Sequence, residues 1–355
     1  MDIQGQVAER NAVIRFSLHE KIGEDGGEGS VFRAHDPQLD AEIAVKVVPL
    51  ANFSNFDQLF NESQMLYKSR HHNVVVANYA CVDSSNRYIS MPLYKNGSLA
   101  ARIRGGFLTC REIIRYSLQF LSGLNNIHSK GLVHFDIKPE NILISDADQA
   151  LVSDFGLARY TSSLGFAKVD GTTRPYAPPE FFTQSTGMLH NKKFDIYQAG
   201  LTLYRMCYRQ INFERQLQQY CDARGAWDNS RLEDDIQNGR FPDRDFFLPH
   251  IPIPLRKIVR TALSTDPDER YPTVIHFLNS LSEITSVNDF VYRSESGDNE
   301  VWTGGNICIR ASKSGDDWSL SVTKGTKQVR KYCQSSLTEG KKRSLVYNCI
   351  SENLS

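Results

Sequence analysis

The sequence predicts an α+β chain: a small β-rich lobe carrying one helix, a larger helical lobe, and a small antiparallel β appendage at the C-terminal end. Three observations predict it. Residues 13–50 alternate apolar and polar side chains in short runs (VIRFSL, SVFRAH, EIAVKVV) around a glycine cluster, and a period of two marks strands with one buried face. From residue 110 the texture turns helical, first in CREIIRYSLQFLSGLNNIHSKG. Beyond residue 299 short alternating runs return, separated by Gly, Ser, Asp and Lys.

Taken in order, residues 1–14 read as a polar tail, and the main domain as 15–285, with lobes at 15–93 and 94–285. After the first strands, FDQLFNESQMLYKSR places Phe56, Leu59, Phe60, Met65 and Leu66 near helical spacing, which predicts a helix within 56–70. Strand-like runs resume at VVVANYACV and RYISMPLY. The long amphipathic helix that follows has Gly131 just past it as a stop. Two short strand-like pieces, ENILIS and ALVSDFG, come next, and the remainder to 285 reads as loop and helix. Two lobes of different texture suggest a ligand held in a cleft between them. Residues 286–299 read as a linker and 300–355 as the appendage, with GNICIRAS, WSLSVT, QVRKYC and SLVYNC as its strands and Trp302 and Trp318 as its core. Two roles stay open for it: a sensor or partner-binding module, or a folded tail that packs on the large lobe.

Composition fits a folded domain. The 355 residues favour about two domains, and 40% hydrophobic with 23% charged residues is a globular balance. Lys+Arg and Asp+Glu both number 41, so no net charge pulls the chain toward nucleic acid or an anionic membrane. Seven scattered cysteines without a C-x-x-C pair read as free thiols of a reducing compartment. No apolar run is long enough to span a bilayer, and MDIQGQVAERN lacks the apolar core of a signal peptide. Cytoplasmic localisation is the expectation.

The chemistry concentrates in a few stretches. In Ile22-Gly23-Glu24-Asp25-Gly26-Gly27-Glu28-Gly29-Ser30-Val31, the glycines Gly23, Gly26 and Gly29 allow close backbone approach to phosphate oxygens. A mobile hairpin would read the same way. Ile43-Ala44-Val45-Lys46 follows, and a lysine on an apolar strand needs a negative partner, which Glu62 on the next helix can supply. Val133-His134-Phe135-Asp136-Ile137-Lys138-Pro139-Glu140-Asn141 puts a carboxylate, an ammonium and an amide in one loop. Asp136 can act as general base, Lys138 can neutralise a transferring phosphoryl group, and Asn141 can offer oxygen to magnesium. Asp154 in Asp154-Phe155-Gly156 adds a second magnesium ligand, while Phe155 can pack into the core.

Together these stretches resemble the signatures of the eukaryotic-type protein kinase superfamily: glycine-rich loop, V-A-I-K, H-R-D-x-x-x-x-N, D-F-G and A-P-E. Tyr176-Ala177-Pro178-Pro179-Glu180 resembles the end of the activation segment, Asp195 the aspartate that ties down the catalytic loop, and Arg270 the partner of Glu180. The resemblance covers about three quarters of the chain, and residues 262–285 are similar to bacterial serine/threonine kinases. It implies a bilobal kinase fold, ATP and Mg2+ as cofactors, protein substrates with possible autophosphorylation, Lys46 on the α- and β-phosphates, and magnesium at Asn141 and Asp154. It places a gatekeeper at Met91 and a hinge at Pro92-Leu93-Tyr94, where Pro92 keeps the carbonyl that the adenine amino group needs and Tyr94 offers an N–H. Val31, Ala44 and Leu143 would sandwich the base.

Two departures matter. Phe135 stands where the family's arginine pairs with a phosphorylated activation loop, so activity should not depend strongly on that phosphorylation. Alanine at Thr161, Ser162, Ser163, Thr172 and Thr173 is the corresponding test. An H-x-D with an apolar middle residue also resembles Wee-type kinases, which leaves dual specificity open. Lys138 and a threonine, Thr173 or Thr172, favour serine/threonine substrates. A pseudokinase that binds nucleotide or a partner without turnover is the alternative from a different class.

Overall fold

The structure is a computed structural model that describes residues 12–26, 29–53, 58–169, 171–183, 189–294 and 298–352. The chain divides into two compact units: Met1–Tyr67 with Val76–Tyr94, and Lys68–Val75 with Lys95–Ser355.

The first unit is an antiparallel sheet of β1 (Ser17–Gly26), β2 (Gly29–Asp36), β3 (Ala41–Pro49), β4 (Tyr79–Val82) and β5 (Asn86–Pro92), in the order β1-β2-β3-β5-β4. One helix, α1 (Asn61–Lys68), interrupts the strands. It is shorter than the expected 56–70: Leu59, Met65 and Leu66 are buried, and Phe56 lies outside the described residues. Ala34, Ile43 and Val45 form the apolar side of the sheet, with Phe16, Val47, Tyr79 and Tyr88 packed against them. Along β3 four successive residues, Ile43 to Lys46, are buried, so both faces of this strand are covered.

The second unit holds α2 (Leu99–Gly105), α3 (Cys110–Ser129), β6 (Leu132–Val133), β7 (Ile142–Ile144), β8 (Ala150–Val152), β9 (Arg159–Tyr160), β10 (Ala167–Lys168), α4 (Pro179–Thr183) and β11 (Leu189–His190). It continues through α5 (Lys193–Tyr208), α6 (Gln210–Gln218), α7 (Asn229–Gln237), α8 (Ile253–Ala262) and α9 (Val274–Ser282). Thr109 starts α3 with a capping box, its hydroxyl accepting from Glu112 N–H while the Glu112 carboxylate takes Thr109 N–H. Gly131, at φ +75°, ends it in the left-handed conformation that glycine adopts without a Cβ penalty. Helix α5 is buried nearly all round, with every residue from Phe194 to Cys207 buried, so it serves as the axis of this unit.

Residues beyond α9 build a sheet of β12 (Val291–Ser294), β13 (Asn299–Gly304), β14 (Ile307–Ser314), β15 (Asp317–Lys324), β16 (Lys327–Gln328) and β17 (Gln334–Leu337), covered by α10 (Glu339–Glu352). Trp302 and Trp318 lie in its core, 0% and 5% exposed.

Three expectations for this region need correction. Part of the 286–299 linker is strand: β12 pairs β13 in register from Val291 opposite Thr303 to Ser294 opposite Glu300, while residues 295–297 lie outside the described residues. QVRKYC is a short strand end followed by a 3-10 turn at Arg330–Tyr332. SLVYNC is not a strand but the middle of α10, where the buried positions Lys342, Val346, Cys349 and Ile350 follow helical spacing. In a six-residue window a strand and one face of a helix look alike, and only the flanking EGKK and ISE extend the helical period.

This appendage is docked on the large lobe. The Tyr292 ring meets Phe107 edge-on at 4.4 Å and stacks on His250 at 5.7 Å. Arg343 donates to the Phe247 carbonyl and lies 3.9 Å over the Phe246 ring.

Candidate active site

Residues 133–141 run from β6 through a loop into a 3-10 turn at Pro139–Asn141 and then β7. The backbone of this loop is clamped from α5. Asp195, in the first turn of α5 and fully buried, accepts the N–H groups of His134 and Phe135 at 2.8 Å each, and lies 2.7 Å from His128 Nε2. One turn on, Gln198 accepts Ile137 N–H at 2.9 Å and donates to the Phe135 carbonyl at 3.0 Å. The clamp holds Phe135 at φ +64°, a left-handed conformation that costs a side-chain-bearing residue free energy and persists only where the surroundings over-determine it.

The clamp aims the Asp136 side chain. One oxygen, Oδ1, accepts the Thr173 hydroxyl at 2.9 Å. The other, Oδ2, accepts from the Asn141 amide at 2.7 Å and lies 2.9 Å from Lys138 Nζ. Lys138 Nζ also donates to Thr173 Oγ1 at 2.7 Å, so Thr173 bridges the carboxylate and the ammonium. This answers which threonine does so, because Thr172 turns away to donate to the Phe135 carbonyl at 3.1 Å. The Asn141 amide nitrogen reaches the Asp136 carbonyl as well, at 2.9 Å.

Asp154 follows β8 at φ +60°, and its Oδ1 accepts Gly156 N–H at 3.3 Å. Phe155 is buried and meets the His134 ring edge-on at 5.2 Å. His134 Nε2 pairs with the Ser153 carbonyl at 3.0 Å, and its Nδ1 accepts Asp136 N–H at 3.3 Å. Complete burial pushes the His134 pKa down, so the ring stays neutral and its two nitrogens keep those roles. Leu143 lies on β7, half-buried, bridged to Ser98.

The Phe135 ring points away from this polar set. It joins Val133, Ala167, Val169 and Phe194 in an apolar cluster, with Leu157 and Phe181 against it, and meets Phe194 edge-on at 5.1 Å. Ala167 and Val169 belong to the segment between Asp154 and Glu180, so that segment is anchored on the Phe135 ring. Its far end is tied by Glu180, whose two oxygens accept from Arg270 at 2.8 and 2.7 Å.

In the first unit, Lys46 on β3 lies 2.8 Å from Glu62 Oε1 on α1, with both side chains more than nine-tenths buried. Lys46 is paired with Val31 on one side and Ile89 on the other, and Ala44 with Arg33 and Met91. Met91 and Pro92 end β5, and Tyr94 follows it, all half-buried. Of the glycine cluster, Gly23 and Gly26 lie on β1 and Gly29 on β2, with Gly26 opposite Gly29 and Gly23 at φ +83°. Gly27 and Glu28 lie outside the described residues. A Cβ on Gly29 would come within 2.5 Å of the Val47 carbonyl, so only glycine fits there.

Sequence reasoning missed three participants. Arg87 on β5 donates to Glu62 Oε2 at 2.6 Å, making it a second cation on that carboxylate. Gln198 on α5 holds the Ile137 N–H and the Phe135 carbonyl. Arg205 on α5 is 2% exposed and pairs with Glu140, at 2.8 Å from Nη2 to Oε1 and 3.0 Å from Nη1 to Oε2. An arginine between the mostly apolar runs LTLY and MCY was the available signal for Arg205. Arg87 and Gln198 carry no signal without the fold.

The chain resembles known proteins along the same span. It is 28% identical over 284 residues to a probable serine/threonine-protein kinase of Clostridium acetobutylicum, covering 78% of this chain and 41% of that one. It is 28% identical over 265 residues to the serine/threonine-protein kinase PrkC of Bacillus subtilis, covering 73% and 39%. A dual specificity protein kinase of Dictyostelium discoideum, pyk3, is 27% identical over 248 residues, covering 69% and 17%. The chain thus spans less than half the length of each of these relatives. The protein kinase domain model matches residues 16–280, from the start of β1 into α9, and takes in the 133–141 loop, Asp154, Glu180 and Arg270: the chain belongs to the protein kinase domain family.

Proposed function

We propose that this chain is a protein serine/threonine kinase that moves the γ-phosphoryl group of ATP to a protein hydroxyl. The observation that carries the reading is the Asp136 carboxylate, buried and held at one oxygen by Thr173 and at the other by Lys138 and Asn141. A carboxylate fixed in this way can take the proton of an attacking hydroxyl. Lys138 places positive charge where a transferring phosphoryl group gains negative charge. Asn141 turns its amide nitrogen to Asp136, which leaves its amide oxygen as a donor for a hard cation. With the Asp154 carboxylate it makes an oxygen donor set that suits magnesium, which when bound neutralises phosphate oxygens. In the first unit, Lys46 held by Glu62 takes the α- and β-phosphates, the glycines at 23, 26 and 29 admit them, and the Pro92 carbonyl and Tyr94 N–H read the adenine.

Lys138 and Thr173 support serine/threonine acceptors, as do the names of the bacterial relatives. The experiment is transfer from labelled ATP with Mg2+ by the wild type beside Asp136→Asn, followed by phosphoamino-acid analysis. Label on serine or threonine that the variant fails to transfer supports the reading. Label on tyrosine moves it to dual specificity, and nucleotide binding without transfer makes the chain a binding module.

We also infer that activity does not depend strongly on activation-segment phosphorylation, because the Phe135 ring already anchors that segment through Ala167 and Val169. Thr172 and Thr173 belong to the scaffold of the loop, so the test is confined to alanine at Thr161, Ser162 and Ser163. Loss of turnover on an outside substrate, with the protein still folded, would sink this inference.

A further inference from the structure

Glu62 is bound by more than the lysine. Its Oε1 lies 2.8 Å from Lys46 Nζ, and its Oε2 accepts from Arg87 Nη2 at 2.6 Å. The other arm of the same guanidinium, Nη1, donates at 3.0 Å to the carbonyl of Leu59, just before α1 begins. Arg87 is 3% exposed, and its guanidinium carbon sits 4.8 Å from the centre of the Phe53 ring. One planar fork therefore grips the entry to α1 and the only acidic residue of its first turn, and does so from a strand of the sheet that also carries Lys46.

A helix of eight residues has little stability of its own. Its position on the sheet rests on Leu59, Met65 and Leu66 and on this fork. Apolar contacts are tolerant of sliding, whereas two charge-assisted hydrogen bonds from a rigid fork fix both distance and angle. We propose that Arg87 is a positioning residue for phosphoryl transfer: it holds Glu62, and through Glu62 it holds Lys46 in the geometry that aligns the phosphates of ATP. A lysine at 87 has no fork and cannot make both bonds in the same plane. This inference rests on the kinase reading above.

The test uses the whole chain as wild type, Arg87→Met, Arg87→Lys, Glu62→Gln and the double variant Arg87→Met with Glu62→Gln. Thermal melts establish that each is folded at the assay temperature. The readouts are kcat and KM for MgATP and, separately, the affinity for adenosine, which has no phosphates for Lys46 to align. The expected result is a fall in kcat of at least tenfold for Arg87→Met with adenosine affinity within twofold of wild type, and partial recovery in Arg87→Lys. The double variant should be no slower than Glu62→Gln alone, because Arg87 acts through Glu62. A kcat within twofold of wild type for Arg87→Met overturns the inference while leaving the kinase reading intact. So does full additivity of the two losses, or an equal loss of ATP and adenosine binding, which would mark a merely structural role. A wild type that transfers no label overturns both.

Discussion

Replacing Phe135 separates anchoring by packing from anchoring by charge. The ring is 0% exposed and meets Phe194 edge-on at 5.1 Å. Burial of such a side chain contributes about 1.5–3 kcal/mol, and the edge-to-face pair about 0.5–1.5 kcal/mol more. With the cavity left behind, Phe135→Ala should destabilise by about 3–5 kcal/mol. In a cooperative unit of this size that is a fall in Tm of roughly 6 to 20 °C. Alanine keeps a Cβ, so the cost of the left-handed backbone at 135 is common to both proteins and cancels. Phe135→Arg restores the family's usual residue and should be no better. The ring is buried in a cluster of Val133, Ala167, Val169 and Phe194, and a buried cation left without a partner costs several kcal/mol. Thermal melts followed by circular dichroism read both variants, and label transfer below the melting range reads activity. Phe135→Arg melting with the wild type, or Phe135→Ala losing less than about 1 kcal/mol, would refute the idea that packing on this ring anchors the segment.

Thr173→Ala should lower kcat roughly ten- to hundredfold, the loss of about 1.5–3 kcal/mol for a hydrogen bond to a charged group, with Thr173→Ser restoring it in steady-state assays. Arg270→Met strands Glu180 without its bidentate partner and should cost about 3–5 kcal/mol in urea unfolding. His250 gives a pH prediction. Burial, with the nearby charge of Arg256, pushes its pKa down to about 3, so the folded state keeps the ring neutral. Below the unfolded value near 6.5 the unfolded state binds the extra proton, and stability falls as pH drops, by up to about 1.4 kcal/mol per pH unit. His250→Phe should therefore flatten the acid limb of a Tm–pH curve between pH 6.5 and 4, and an unchanged limb would exclude His250 as its source.

The 133–141 loop was legible because its chemistry is contiguous. Asp136, Lys138 and Asn141 lie within six residues, and a local turn is enough to bring them together. Lys46 and Glu62 were legible for a different reason: a lysine on an apolar strand demands a partner, and the next helix offers an acid. What could not be read was anything set by a distance in space. The choice between Thr172 and Thr173 depends on which hydroxyl faces Asp136, and neighbouring residues in an extended segment face opposite ways. Arg87 reaches Glu62 across 25 positions, and nothing in NRYISM marks its arginine as buried. The appendage failed at its end because SLVYNC satisfies a strand pattern over six residues and a helical one over fourteen.

Phe135 and Asp154 are both non-glycine residues with left-handed backbones, at φ +64° and +60°, and they flank the two stretches that hold the acidic groups of the site. Such conformations are unfavourable in isolation, so the surrounding bonds must hold them. At Phe135 those bonds come from Asp195, Gln198 and Thr172; after Asp154 the chain is fixed by Phe155 against His134, whose own N–H is bonded to Asp195. Both strained positions therefore trace back to the first two turns of α5, the most deeply buried helix of the large lobe. The geometry of Asp136 is set by the core before any substrate arrives, as preorganised electrostatic catalysis requires. On the proposed role of Asp136 as general base, loosening Asp195 should accordingly lower turnover in a label-transfer assay, although Asp195 lies off the proposed proton path.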